Sequence, residues 1–175
     1  MMKTFINKKV CKILLFLLGL LSVFLAINHK VSAAQKIVFS TWDTFEVDKC
    51  ASIWLIKRFI APEAQIKFYP HGTTITAGIP FDTPNAKFRR YATKSTYEIL
   101  MEHYKLKNPR LYYIGFLVHD IEINTWGKKN YKKSTELSEA IQKIILENKG
   151  NNEKIMKKSL KYFDKLFDTS AKFAD

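Results

Sequence analysis

VDKCASIWLIKRFI, residues 47–60, decides how the rest of the chain is read. On a helix turning about 100° per residue, Val47, Ala51, Trp54 and Arg58 share one side. Ile53, Ile56 and Ile60 share the other, between Lys49, Ser52 and Lys57. Apolar residues on both sides predict a helix lying between two layers. Arg58 is the exception. A guanidinium beside Trp54 and Ala51 either runs its stem out to water or meets a carboxylate. Asp48, Asp82, Asp120 and Glu122 are the acids expected to pair with it, under the Ile79–Asp82 turn. An anion contact is the functional alternative, since the planar guanidinium fork suits carboxylates and tetrahedral oxyanions alike.

Working outward, Lys36–Trp42 (KIVFSTW) is rich in β-branched and aromatic residues and predicts a strand before the helix. Pro62 closes the helix, and the alternation of Gln65–Tyr69 (QIKFY) predicts a second, half-buried strand. Residues 70–84 read as loop, with Gly72, Gly78, Pro80 and a run of threonines. Residues 86–91 suggest a further short strand carrying Arg89 and Arg90. Beyond that the chain reads as helix. Ser95-Thr-Tyr-Glu98 is a capping box, and Asn108-Pro109 caps and starts the next helix. Ser134 opens a third with the stripe Leu137, Ala140, Ile141 and Ile144, and Ile155, Leu160, Phe163 and Phe167 mark a last one. Strands first and helices afterwards predict an α+β domain, predominantly helical, with about five helices and a sheet of two or three short strands. The basic stretch at 126–133 (WGKKNYKK) reads as a solvated linker.

The first 33 residues read as a signal peptide rather than as fold. Lys3, Lys8, Lys9 and Lys12 precede an apolar run of 15 residues, Ile13–Ile27, and Val31-Ser-Ala-Ala34 offers small residues for cleavage after Ala33. A spanning helix needs roughly 20 apolar residues, so no stable membrane span is expected after cleavage. The predicted domain is then 34–175, exported to the periplasm or the outside of the cell. Removing the signal takes five of the 29 basic residues and none of the 16 acids, which leaves a net charge of +8. That surplus suits an anionic partner, and export sets nucleic acid aside. Cys11 leaves with the signal, so Cys50 has no partner for an intramolecular disulfide. At the helix start beside Lys49, Cys50 is either a redox-active thiolate or inert core filler.

His119 and Glu122 stand three apart and share a face if the helix is continuous. Imidazole plus carboxylate is half of a metal site. Glu46 and Asp48 are the expected further ligands, with Asp82 behind them, and a divalent metal ion is the cofactor such a set implies. Arg89 and Arg90 add positive charge, although neighbours on a strand face opposite ways. Asp120 is a site-organising candidate with Arg58. No Gly-rich phosphate loop, serine elbow or paired-cysteine zinc motif is present in the sequence.

These segments together resemble a known family. DKCASIWLIKRFIAPEAQIKFYP (48–70), GIPFDTPNAKF (78–88), STYEILMEHYKLKNPRL (95–111) and LVHDIEIN (117–124) are similar to the chromate resistance protein B family, C-terminal domain. The leader resembles its exported branch, the chromate resistance exported proteins. Asp48, Trp54, Arg58, Asp82 and the helix ending in His119-Asp120 match the family pattern. Arg89, Arg90 and Tyr91 stand where the family has a histidine, and Ser95 stands where a cysteine is common, so cysteine–histidine chemistry is not implied here. The resemblance implies a part in chromate tolerance. The expected function is binding of an oxyanion or a metal ion outside the cytoplasm. A metal-dependent enzyme using His119 and the carboxylates is the alternative.

Overall fold

The computed structural model describes residues 36–124 and 126–170. The leader, its cleavage site and Cys11 lie outside the described residues. β1 (Val38–Trp42) leads into α1 (Val47–Leu55), which runs on through a single π-helical turn, Ile56–Ile60. β2 (Gln65–Tyr69) and β3 (Ile79–Pro80) follow. Then come α2 (Thr96–His103), α3 (Pro109–Glu122), α4 (Lys132–Glu147) and α5 (Asn152–Thr169). This is the expected α+β architecture.

The sheet has the order β2-β1-β3 and is parallel throughout. Val38 to Trp42 pair with Gln65 to Tyr69 in register, and Phe39 faces Ile79. A parallel neighbour requires a crossover, and α1 supplies it, so the described residues open with one βαβ unit and then turn helical. β1 is the central strand, buried at Phe39, Ser40 and Thr41. Phe39 enters the apolar core, while the Ser40 hydroxyl donates to the Ala77 carbonyl at 2.6 Å. Gly78 lets the chain come that close. Its φ is +85°, and a Cβ there would stand 2.4 Å from the Ser40 hydroxyl oxygen. Ile79-Pro80 is therefore a short strand, and the segment turns only after the buried Phe81, at Asp82. Residues 86–91 form no strand. Only single bridges, Phe81 with Phe88 and Tyr91 with Lys94, occur there.

All nine residues of α1 are buried, as the apolar faces of 47–60 predict. Helices α2 to α5 all pack against it, and Ile53, Trp54, Leu55 and Ile56 share one cluster with Phe39 and Phe81. Each such large side chain contributes about 1.5–3 kcal/mol by burial. The π turn is closed by the Ala61 amide donating to the Ile56 carbonyl at 2.8 Å, five residues back rather than four.

Arg58 does not lie under the Ile79–Asp82 segment, and it pairs with none of the four expected acids. Its Nε donates to Asp164 Oδ1 at 2.8 Å and its Nη2 to Oδ2 at 2.9 Å. Both side chains are about 40% exposed. Asp164 Oδ1 also accepts from the Trp54 indole at 2.8 Å, and the Trp54 ring packs among Phe59, Phe163 and Phe167. The shared face of Trp54 and Arg58 was legible, but it points at α5, so this pair is a clamp between two helices.

Asp120 is structural too. Its carboxylate accepts from the backbone N–H groups of Asn130 (3.0 Å) and Tyr131 (3.2 Å) and from the side chains of Asn124 and Asn130. Burial works against the charge, but these donors outweigh it and hold Asp120 at about 2. Lys129 donates to the carbonyls of Asp120, Ile121 and Asn124, which closes the C-terminus of α3. The basic stretch is largely solvated, as expected, and is also tied to the end of α3 by these bonds.

Replacing Asp164 with Ala is expected to cost about 1–3 kcal/mol in urea unfolding, because the indole N–H loses its acceptor. Arg58→Met, which breaks only a half-exposed ion pair, should cost less than about 1 kcal/mol. The Arg58 hydrogen bond holds Asp164 below its usual 3.8. Its stabilising contribution should therefore be complete above that value and fade as acid protonates it in the fold. Equal losses for the two variants would contradict the clamp.

Candidate functional site

Asp48 sits in the first turn of α1 with no exposed surface. Its carboxylate leaves its own helix and caps another. Oδ2 accepts from the Thr96 N–H at 2.7 Å and Oδ1 from the Tyr97 N–H at 2.9 Å, two of the amides that the start of α2 cannot satisfy internally. The neighbouring amides go to the Ser95–Glu98 capping box. Ser95 Oγ accepts from the Glu98 N–H at 3.2 Å, and the Glu98 carboxylate accepts from the Ser95 N–H at 2.8 Å. Burial pushes the Asp48 carboxyl well above its usual range, and the Asp82 and Glu122 charges push the same way against the two amides.

Glu122 repeats the device one helix along. It ends α3, and its Oε1 accepts from the Asp48 N–H at 3.2 Å, at the start of α1. Its Oε2 accepts from Arg90 Nη1. Burial raises the Glu122 carboxyl, helped by the Glu46 charge and opposed by Arg90. Arg90 Nη2 reaches Glu46, the residue before α1, at 3.3 and 3.4 Å. Arg90 is thus held closely by one carboxylate and loosely by a second, more exposed one.

Asp82 lies opposite, at the end of β3, with a left-handed φ of +50°, a conformation that Asp tolerates better than most residues. Its Oδ1 accepts from the Thr96 hydroxyl at 2.7 Å, and Lys49 Nζ stands 3.5 Å from Oδ2. Lys49 is buried. Its ammonium donates to the Trp42 carbonyl at 3.1 Å, to the Thr44 carbonyl, and to the Thr44 hydroxyl at 3.3 Å. Arg89 donates to the Ala86 carbonyl at 3.0 Å and lies over the Tyr91 ring, 4.5 Å from its centre. Among the described residues it has no carboxylate within ion-pair distance. A cleft of about 190 Å³ opens between these groups, lined by Glu46, Asp82, Thr83, Pro84, Arg89 and Arg90. Because 86–91 is not a regular strand, Arg89 and Arg90 line the same cleft instead of pointing opposite ways.

Of the expected metal set, Glu46, Asp48 and Glu122 come together, but around Arg90 rather than Arg58. His119 does not join them. Its Nδ1 lies 3.0 and 3.1 Å from the two oxygens of Glu98. Glu122, the last residue of α3, reaches toward α1 instead. No three side chains among the described His, Cys, Asp and Glu residues are grouped to hold a metal ion. Cys50 is fully buried, and burial pushes its thiol up to about 12, beyond what the Ser159 hydroxyl and the Lys49 charge can offset. The helix-start argument for a thiolate therefore gives way to desolvation. Lys49, Thr83 and Thr96 were missed as site residues. The capping box did mark the start of α2, but nothing in its spacing showed that Asp48 would complete it.

A family model described as ChrB, C-terminal domain, matches residues 39–170. No curated protein matches the chain, and no solved structure does.

Asp48→Ala is expected to cost about 2–4 kcal/mol, because two buried amides of α2 lose their acceptor. Glu122 binds its proton more tightly in the fold than in the unfolded chain, so stability should fall as pH rises from the usual 4.5 through the raised folded value. Glu122→Gln should make that fall shallower in a series of melting temperatures across pH. An unchanged slope would contradict the assignment.

Proposed function

This chain belongs to the ChrB C-terminal domain family, and on that premise we propose that it serves chromate resistance as an exported protein that binds a tetrahedral oxyanion. The family carries a role related to chromate resistance; the oxyanion, the cleft and the export are our reading. One observation supports it above the others. Arg89 is a guanidinium lining a cleft with no carboxylate partner among the described residues, beside an Arg90 whose contact with Glu46 is long.

An incoming dianion competes with Glu46 for Arg90 Nη2, while Glu122 keeps hold of Nη1. Arg89 presents the second fork. Paired guanidinium donors suit the oxygens of a tetrahedral anion, and charge-assisted hydrogen bonds of this kind are roughly twice as strong as neutral ones. The opposing carboxylates keep the cleft from being a bare positive hole that takes any anion. The basic balance of the domain raises the local anion concentration. The lysine-rich, apolar and small-residue leader supports export. No helix among the described residues is long and apolar enough to cross a membrane.

The test is calorimetric titration with chromate, checked by thermal shift. Free anion about 100-fold above its Kd should stabilise the fold by about 2.7 kcal/mol. Arg89→Ala should cost the unliganded protein only about 1–2 kcal/mol, because it loses the Ala86 carbonyl and the Tyr91 ring but no ion pair, and should weaken binding about tenfold or more. Full affinity in Arg89→Ala, or no binding by the wild-type protein, would overturn the reading.

A further inference from the structure

In the strand order β2-β1-β3, β2 is an edge, with β1 as its one neighbour among the described residues. A parallel strand turns the N–H and C=O of alternate residues to opposite sides. The Gln65 N–H donates to the Ile37 carbonyl at 2.9 Å, and the Tyr69 carbonyl accepts from the Asp43 N–H at 2.8 Å. Gln65, Lys67 and Tyr69 therefore bond toward β1. Ile66 and Phe68 turn their backbone groups outward, where no described residue bonds them. Beside this edge lies a groove of about 600 Å³. Val38, Ala64, Ile66 and Met156 supply apolar walls, and Lys57 and Lys67 are its charged residues. No carboxylate among the described residues lines it, and it shares no residue with the cleft of Arg89 and Arg90.

We propose that this edge and groove form a docking site for an extended acidic segment of a partner protein, which adds as a further strand beside β2. The segment's backbone meets the outward groups of Ile66 and Phe68, and its alternate apolar side chains enter the groove. Its carboxylates meet the two lysines. Lys67 is exposed, rests over the Tyr69 ring at 4.8 Å, and has no acid within ion-pair distance among the described residues. Lys57 donates to the carbonyls of Pro62 and Ala64, which leaves one of its three protons over. Charge also argues against a second copy of this chain as the occupant. A two-fold antiparallel copy can bond both outward residues only with Lys67 opposite its own counterpart. A shift one way meets Ala64, whose N–H and C=O are already bonded to Ala61 and Lys57. A shift the other way meets Pro70, which has no N–H. Like charges directly opposite are destabilising, and a lysine on an edge strand is a common guard against self-pairing. The same lysine admits an acidic strand.

The experiment titrates the whole protein with a blocked peptide of about eight residues that alternates Val and Glu, and with its counterpart that alternates Val and Lys. Fluorescence anisotropy reads affinity, and amide hydrogen exchange followed by NMR reads the place. The Val-Glu peptide should bind about tenfold or more tightly than the Val-Lys peptide, and should slow exchange of the Ile66 and Phe68 amides about tenfold or more. Lys67→Glu changes an exposed side chain and should bring the two peptides to parity or reverse their order. Ile66→Pro removes one outward N–H, a change that edge strands tolerate, and should weaken the Val-Glu peptide about tenfold. Should Ile66→Pro fail to fold, the exchange data and Lys67→Glu still decide. Equal binding of the two peptides, an unchanged preference in Lys67→Glu, or binding that leaves both amides exchanging freely would each overturn the inference. So would a concentration-dependent dimer that protects those two amides, which would give the edge to a second copy.

Discussion

Carboxylates of one helix capping the start of the next are the constraint on which the rest of the structure depends. Glu122 at the end of α3 takes the Asp48 amide at the start of α1, and the Asp48 side chain takes two amides at the start of α2. Each bond satisfies donors that a helix cannot satisfy itself, and each places negative charge where the helix dipole favours it. Together they bring three helices and the end of β3 to one place. The acids are close because the helix starts need them. The arginine and lysine beside them keep that much negative charge tolerable in a dry interior.

The same arrangement gives the cleft its character. Arg90 is bound inside by Glu122 and outside by Glu46, so its position is set before any ligand arrives. Arg89 is steadied by a ring and a carbonyl rather than by a countercharge. A scaffold in which one guanidinium is fixed and a second is unneutralised is preorganised for an anion, and the entropy of ordering the two forks is already met by folding. Under the proposed reading, the acids around them limit which anions the cleft takes.

Much of this fold was legible in the sequence. The two-faced helix of 47–60, the strand at 65–69 and the capping box at Ser95 rest on local periodicity and local hydrogen bonding, which a sequence carries directly. The charges that gather at the cleft were legible, but what they gather around was not. Glu46, Asp48, Asp82, Glu122, Arg89 and Arg90 all stood out as charges in apolar or motif-bearing segments, and they do gather. Arg58 looked like the centre because it was the one charge on a greasy face, but its acid, Asp164, lies 106 residues away in a helix whose pattern gave no sign of it. Long-range ion pairs leave no spacing to read. His119 illustrates the same limit, since helical neighbours three apart can still turn to different partners at a helix end.

The most direct measurement of the central claim is an anomalous difference map from crystals soaked in chromate. The account predicts a chromium peak in the cleft, within hydrogen-bonding reach of both Arg89 and Arg90, with Glu46 turned away from Arg90. A peak seated on the Arg58–Asp164 clamp, or no peak in crystals whose cleft is open to solvent, would contradict it.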